Sequence, residues 1–260
     1  MSASMPPAAI VVPRILITGA SGALGGALAR RRAAPGTALL LWGRDPARLE
    51  AIAVQCRELG ADVHIRQCDL ADIGEGLAAL AADDTPPITQ ALLVAGQGDT
   101  AAPGAIVQDA AQVARLVQVN FAAPAALAAD LAGRMAVRGG GRILLVGSAA
   151  AFHALPFAPA YAGSKAGLAR FAEALRLAVE PHGVAITLVS PGFIDWAGGG
   201  RPVPRALLLP LETAAKRILA AFDAGSSHAI IPRRFGVLKL VDRLLPGALR
   251  ARLLRSLAPR

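Results

Sequence analysis

The sequence predicts an α/β fold: a doubly wound parallel sheet of about seven strands, with helices on both faces and a C-terminal helical tail. Three observations predict it. Short apolar runs recur along the chain, and most are continuous rather than alternating, the pattern of strands covered on both faces. Longer segments of helical character separate them, so the order is βαβα, which implies parallel pairing through right-handed crossovers. The first run ends in a glycine-rich turn that opens directly into a helix.

The strands follow in order. Arg14-Ile-Leu-Ile-Thr18 is the first, residues 38–42 the second and residues 62–66 the third. Residues 90–94, 142–146 and 184–188 supply the fourth, fifth and sixth, and residues 228–231 a seventh. Helices are expected over 23–33, 46–59, 71–82, 110–137, 160–179 and 211–224. No repeat, low-complexity tract or linker interrupts residues 1–232, which read as one domain, with residues 233–260 as an appended tail.

Composition narrows the class. Of 260 residues, 54% are hydrophobic and 17% charged, enough apolar material for a large core and too little charge for a disordered chain. Two cysteines, Cys56 and Cys68, form no C-x-x-C pair; they exclude a disulfide framework and point to a reduced, cytoplasmic setting. Residues 1–12 lack the basic start of a secretory signal. The longest stretch free of Lys, Arg, Asp and Glu, residues 143–164, contains Gly147, His153, Pro156 and Pro159 and so reads as a strand and loop, not a membrane span. The net charge is +9, of which residues 233–260 hold +7, from eight Lys/Arg against the single acid Asp242. The body is nearly neutral, and no motif supports nucleic-acid binding.

The first strand runs into Thr18-Gly-Ala-Ser-Gly-Ala-Leu-Gly25. A strand, glycine turn and helix in succession present backbone N–H groups and a positive helix end to a pyrophosphate, the Rossmann-type solution for dinucleotides. After the second strand, Gly43-Arg44 stands where an acid would bind the adenosine ribose of NAD. The Arg44 guanidinium suits a 2′-phosphate and favours NADP (NADPH) over NAD; a solvated arginine at a helix start is the competing reading. Asp69 can meet the adenine amino group, cap the helix from Ala71 onward, or both.

Tyr161 and Lys165 are four residues apart in a helical segment and share a face. Ser148 lies at the end of the fifth strand, on the same sheet edge as the glycine turn, and Asn120 lies within the long preceding helix. With Cys68-Asp-Leu70, Val94-Ala-Gly96, Val119-Asn120, Gly147-Ser148, Tyr161-Ala-Gly-Ser-Lys165 and Ser190-Pro-Gly-Phe-Ile194, the chain resembles the short-chain dehydrogenase/reductases, in their single-domain subtype, from about Ile15 to Pro232. The resemblance implies a catalytic set of Asn120, Ser148, Tyr161 and Lys165. Tyr161 exchanges a proton with the substrate oxygen, Ser148 orients that oxygen, Lys165 stabilises the phenolate and holds the nicotinamide ribose, and Asn120 anchors a water. It places cofactor contacts at Gly19, Ser21, Gly22, Ala23, Leu24, Gly25, Arg44, Asp69, Leu70, Ala95, Gly96, Lys165, Pro191, Gly192 and Ile194. It also implies a homo-oligomer, dimeric or tetrameric.

Three positions depart from the family pattern. Ala23 stands where the subtype has its second glycine, Leu93 and Val94 replace the asparagines that open the family's fourth-strand signature, and Asp195-Trp196 replace a threonine that touches the cofactor. These departures raise an alternative, a catalytically idle nucleotide-binding or scaffold protein on the same fold. Phe152, Leu155, Phe157, Phe193 and Trp196 surround the expected substrate region and suit a lipophilic ketone or secondary alcohol; His153 reads as a loop residue, and Gly198-Gly-Gly200 suggests a lid. Arg201 and Arg205 can attract an anionic group. The tail reads as two basic amphipathic helices broken at Pro246-Gly247, fit to cover the core or a subunit interface, or to meet an anionic membrane or an acidic protein.

Overall fold

A computed structural model describes residues 12–98, 100–102, 105–195 and 205–256. The strands are β1 (Arg14–Thr18), β2 (Ala38–Gly43), β3 (Asp62–Gln67), β4 (Gln90–Leu93), β5 (Gly141–Val146), β6 (Val184–Pro191), β7 (Ile194–Asp195), β8 (Leu209–Pro210) and β9 (His228–Ile231). Seven of them form one sheet in the order β3-β2-β1-β4-β5-β6-β9. Every neighbouring pair in it is parallel. The chain winds outward from β1 through β2 and β3, returns past β1 to β4, and winds outward the other way. The order therefore reverses between β1 and β4, and at such a switch point the loops of two strands diverge and leave a crevice. The short ladder β7–β8 is separate from this sheet and was not foreseen from the sequence.

Nine helices are described: α1 (Ala23–Arg32), α2 (Pro46–Glu58), α3 (Ile73–Asp83), α4 (Ala110–Val117), α5 (Ala123–Val137), α6 (Pro159–Val179), α7 (Leu211–Asp223), α8 (Arg234–Leu244) and α9 (Gly247–Ser256). The two-residue period of a strand sorts the core into two layers. Ile15, Ile17, Leu39 and Leu41 pack with residues of α1, α2 and α7, among them Leu28, Leu49 and Phe222. Leu16, Leu40, Leu93 and Leu145 point the other way, toward Leu80, Leu127 and Leu168 of α3, α5 and α6. Both sheet faces are thus covered, as the continuous apolar runs require. Cys56 and Cys68 are buried and free.

Two helical expectations are corrected. The third helix starts at Ile73 rather than Ala71, and its N-cap is Asp72, whose carboxylate accepts the Glu75 N–H. Asp69 is therefore not the helix cap. Its Oδ1 accepts the Ala71 N–H at 3.0 Å, an Asx turn that ends before the helix begins. The helix expected over 110–137 is also not continuous, because a π-helical turn at Gln118–Ala122 separates α4 from α5. Such turns carry one extra residue per ring and cluster at functional sites. This one contains Asn120.

Thr18 braces the crevice. Its hydroxyl oxygen accepts the N–H groups of Val94 at 3.0 Å and Ala95 at 3.2 Å, which follow β4. A side chain of β1 thereby ties down the chain as it leaves β4. Thr18→Val keeps the shape of this side chain, which is 1% exposed, and leaves two N–H groups without an acceptor. An orphaned buried donor costs about 1–3 kcal/mol. Urea denaturation should show that loss as a lower midpoint with an unchanged slope.

Candidate active site

The glycine turn sits at the crevice. Gly19 has φ +70°, and a Cβ there would lie 2.8 Å from the Ala95 Cα. Only glycine allows the β1 and β4 loops this close an approach with that backbone. Gly22 is the N-cap of α1, which continues with Ala23, Leu24 and Gly25, and no side chain caps that first turn. Its amides and the positive end of the helix dipole are free to receive an anion. Gly25 packs directly on the Gly19 carbonyl, which a Cβ would strike. Ser21 lies against the end of β2, with its Oγ 2.5 Å from the place a Gly43 Cβ would take. Glycine at 22 rather than 23 still yields an uncapped helix start without a Cβ at the turn. The residues present fit a dinucleotide pyrophosphate.

Beside this cradle lies a pocket of about 400 Å³ lined by Arg44, Gln67, Asp69 and Glu75. Arg44 is exposed at the end of β2, and among the described residues its guanidinium has no ion-pair partner. Gln67 Nε2 donates to the Arg44 carbonyl at 3.4 Å and steadies the turn that carries it. Neighbouring Arg48 belongs instead to the start of α2, where its N–H and guanidinium meet Asp45. Leu70 buries its side chain in the core.

The ends of β4 and β5, the π turn and α6 bring the chemical groups together. Lys165 is 4% exposed on α6, and its Nζ donates to the Val146 carbonyl, the last residue of β5, at 2.9 Å. Burial lowers its pKa from the ordinary 10.5 to about 8. Ser148 follows two residues after Val146; its Oγ accepts the Ala150 N–H at 3.1 Å, which leaves the hydroxyl proton to donate elsewhere. Tyr161 lies half-buried one helical turn before Lys165. Asn120 is fully buried, and its carboxamide clamps the Gln97 peptide from both sides: Oδ1 accepts the N–H at 2.7 Å and Nδ2 donates to the carbonyl at 2.8 Å. A Cβ at Gly96 would lie 3.0 Å from Asn120 Oδ1 and 3.2 Å from Lys165 Nζ, so both side chains meet at this glycine. Pro191 closes β6, Gly192 follows, and Ile194 lies in β7. Trp196, residues 198–201 and the N-terminal residues 1–11 lie outside the described residues.

Two contributors escaped the sequence reading. Thr18 gave only an ordinary strand-end signal. Gln108, 5% exposed, accepts the Ala160 N–H at 2.9 Å and fixes the start of α6, the helix of Tyr161 and Lys165. A glutamine in a polar loop is too common a feature to predict this contact.

Comparison with known proteins agrees with the fold. Residues 13–201 match the short chain dehydrogenase family. Dehydrogenase/reductase SDR family member 7B of Bos taurus is 32% identical over 188 residues, 69% of this chain and 57% of that protein. An uncharacterized oxidoreductase of Mycobacterium tuberculosis is 30% identical over 236 residues, 89% of this chain and 93% of that one. A short-chain dehydrogenase from Sphingobium yanoikuyae, solved in complex with NADPH, superposes with a TM-score of 0.78 at 28% identity, covering 91% of this chain and 97% of that one. The bulky-bulky ketone specific alcohol dehydrogenase from Comamonas testosteroni gives 0.76 at 26% identity, covering 91% and 96%. The chain belongs to the short-chain dehydrogenase/reductase family and is an oxidoreductase of that family.

The buried lysine has a measurable cost. An unfolded Lys165 keeps its proton up to about pH 10.5 and the folded one up to about 8, so between these values the unfolded chain binds more protons. Stability contributed by this group therefore rises with pH across that window, and the full penalty, roughly 3 kcal/mol before the Val146 hydrogen bond is counted, applies below pH 8. Lys165→Met should raise the melting temperature at pH 7, with a margin over the parent that shrinks above pH 8 and closes by about pH 10.5. A thermal-unfolding series across pH checks this.

Proposed function

We propose that this chain is an NADP(H)-dependent oxidoreductase that moves a hydride between nicotinamide and a carbonyl or alcohol carbon, acting on a lipophilic ketone or secondary alcohol. The observation that carries this reading is the meeting of Lys165 and Asn120 at Gly96, one helical turn from Tyr161 and two residues from the strand end that places Ser148. The uncapped start of α1 binds the pyrophosphate, and Arg44 pairs with the 2′-phosphate. When bound, NADPH supplies the hydride.

The chain's own groups supply the rest. Tyr161 gives its phenolic proton to the carbonyl oxygen, or takes it back in oxidation. Its ordinary pKa near 10 makes that transfer slow at neutral pH without help. The Lys165 ammonium stabilises the phenolate that forms, and its location away from water strengthens that attraction. Proton transfer from a positioned group contributes about 10²–10⁴-fold. Ser148 donates the proton that its bond with Ala150 leaves free, and so fixes the substrate oxygen beside the phenol. Asn120 is a positioning residue: with both ends of its carboxamide on Gln97, it holds the loop over Lys165. Phe152, Leu155, Phe157 and Phe193 supply apolar surface near the site, with Phe193 42% exposed. The two structural neighbours, one solved with NADPH and one specific for bulky-bulky ketones, support the cofactor and the substrate class.

Tyr161→Phe should abolish NADPH oxidation across a panel of aromatic and aliphatic ketones, a loss of about 10²-fold or more, while NADPH still raises the melting temperature. Turnover that survives this change overturns the role of Tyr161. NADPH stabilisation without any Tyr161-dependent turnover would point instead to a nucleotide-binding scaffold. Arg44→Ala should weaken NADPH about tenfold or more, the scale of a charge-assisted pair, and leave NADH within about twofold. Equal losses for both nucleotides, read by titration calorimetry, remove the 2′-phosphate contact.

A further inference from the structure

The two C-terminal helices keep one side on the protein and leave leucines on the other. In α8, Phe235 is buried at 5% exposure, and half a turn around the helix Val237, Leu240 and Leu244 are 63%, 59% and 75% exposed. Their i, i+3, i+7 spacing makes one ridge. In α9, Leu254 faces inward at 7% exposure, while Leu249 and Leu253, one turn apart, are 52% and 46% exposed. Arg252 and Arg255 are exposed on the same helix, and Arg233 and Arg234 at the start of α8. The helices thus do not simply cover the core.

We propose that residues 233–260 form a foot that docks this protein on an anionic lipid surface. The leucine ridges enter the acyl boundary, and the arginines stay at headgroup level with their stems along the apolar layer. Charge complementarity selects this occupant. The segment carries +7, and the rest of the chain is about +2. A second copy docking tail to tail would bring +7 against +7, and interface cores are depleted of charge. A groove on an acidic protein receives one continuous helical stripe. Here Pro246 lies between α8 and α9 and divides the exposed leucines into two short ridges.

The foot is fastened to the segment after β6. The Phe235 ring lies on Gly192, where a Cβ would strike it, and meets Phe193 edge-on with centroids 6.1 Å apart. Docking therefore sets the Gly192–Ile194 side of the molecule near the bilayer; that this side admits a lipophilic substrate rests on the oxidoreductase reading above.

The test is flotation of the full chain with vesicles of phosphatidylcholine containing about 30% phosphatidylserine, against phosphatidylcholine alone. Binding should be at least about tenfold stronger to the anionic vesicles and should fall steeply with added salt. Arg252→Glu with Arg255→Glu, and separately Leu249→Ser with Leu253→Ser, should each reduce partitioning by about tenfold or more. Both variants should keep the NADPH-induced rise in melting temperature, which shows a folded site. Absence of flotation at low salt overturns the foot, as does flotation that neither variant reduces. A dimer that the leucine variant dissociates, without vesicle binding, would show that a second copy covers the ridges. Loss of NADPH binding in the parent would defeat the cofactor reading alone, because flotation is read without it.

Discussion

Lys165 holds its ammonium where 4% of the residue reaches solvent, and its neighbours leave room for it: the carbonyl of Val146, the missing side chain of Gly96 and the clamped amide of Asn120. A buried charge is costly unless hydrogen-bonded. The end of β5 supplies an acceptor, and α6 delivers the lysine to it. Tyr161 then falls one turn away without a further device, because the helix repeat places residue i−4 on the same face. Stability is spent at the position where a phenolate needs a positive neighbour, the arrangement expected of a functional site.

The sheet's winding explains why these groups share one place. Parallel strands bring their carboxyl ends to one edge, and reversal of the order between β1 and β4 opens that edge where the Gly19 turn and the Ala95-Gly96 loop approach each other. Thr18 ties the two loops with one oxygen, and Asn120 ties the second loop to the break between α4 and α5. Cradle and chemical set are thus held by a common short stretch, residues 94–97. A shift in that stretch would move both together.

Strand placement was legible because burial on both faces demands uninterrupted apolar runs. All seven expected sheet strands occur, with β6 reaching Pro191 rather than ending at residue 188. The residue types of the site were legible through the family resemblance that the glycine turn, Ser148, Tyr161 and Lys165 carry together; the spacing of Tyr161 and Lys165 alone is common. Most of the rest depends on contacts that sequence does not express. Asp69 and Asp72 are both acids before a helix, and only the backbone path decides which one caps it. The π turn at Gln118–Ala122 lies just before Pro124, in the first turn of α5; that proline, which cannot donate back to the preceding turn, was the sequence sign of a break that a continuous helix over 110–137 passed over. Gln108 reaches the start of α6 across more than fifty residues, beyond any local pattern.

On the proposed function, chemistry and selectivity are assigned to physically separate positions. Lys165, Asn120 and Ser148 are buried and tied by hydrogen bonds to backbone groups, so a change at any of them strips a backbone group of its partner. Arg44 stands exposed on a turn beside an open pocket, and Phe193 lies on the segment between β6 and β7. Exposed positions of this kind tolerate substitution at small cost to the fold. On the proposed function, cofactor preference and substrate fit would change at the rim, while proton transfer would stay fixed by the buried lysine and the loop around it.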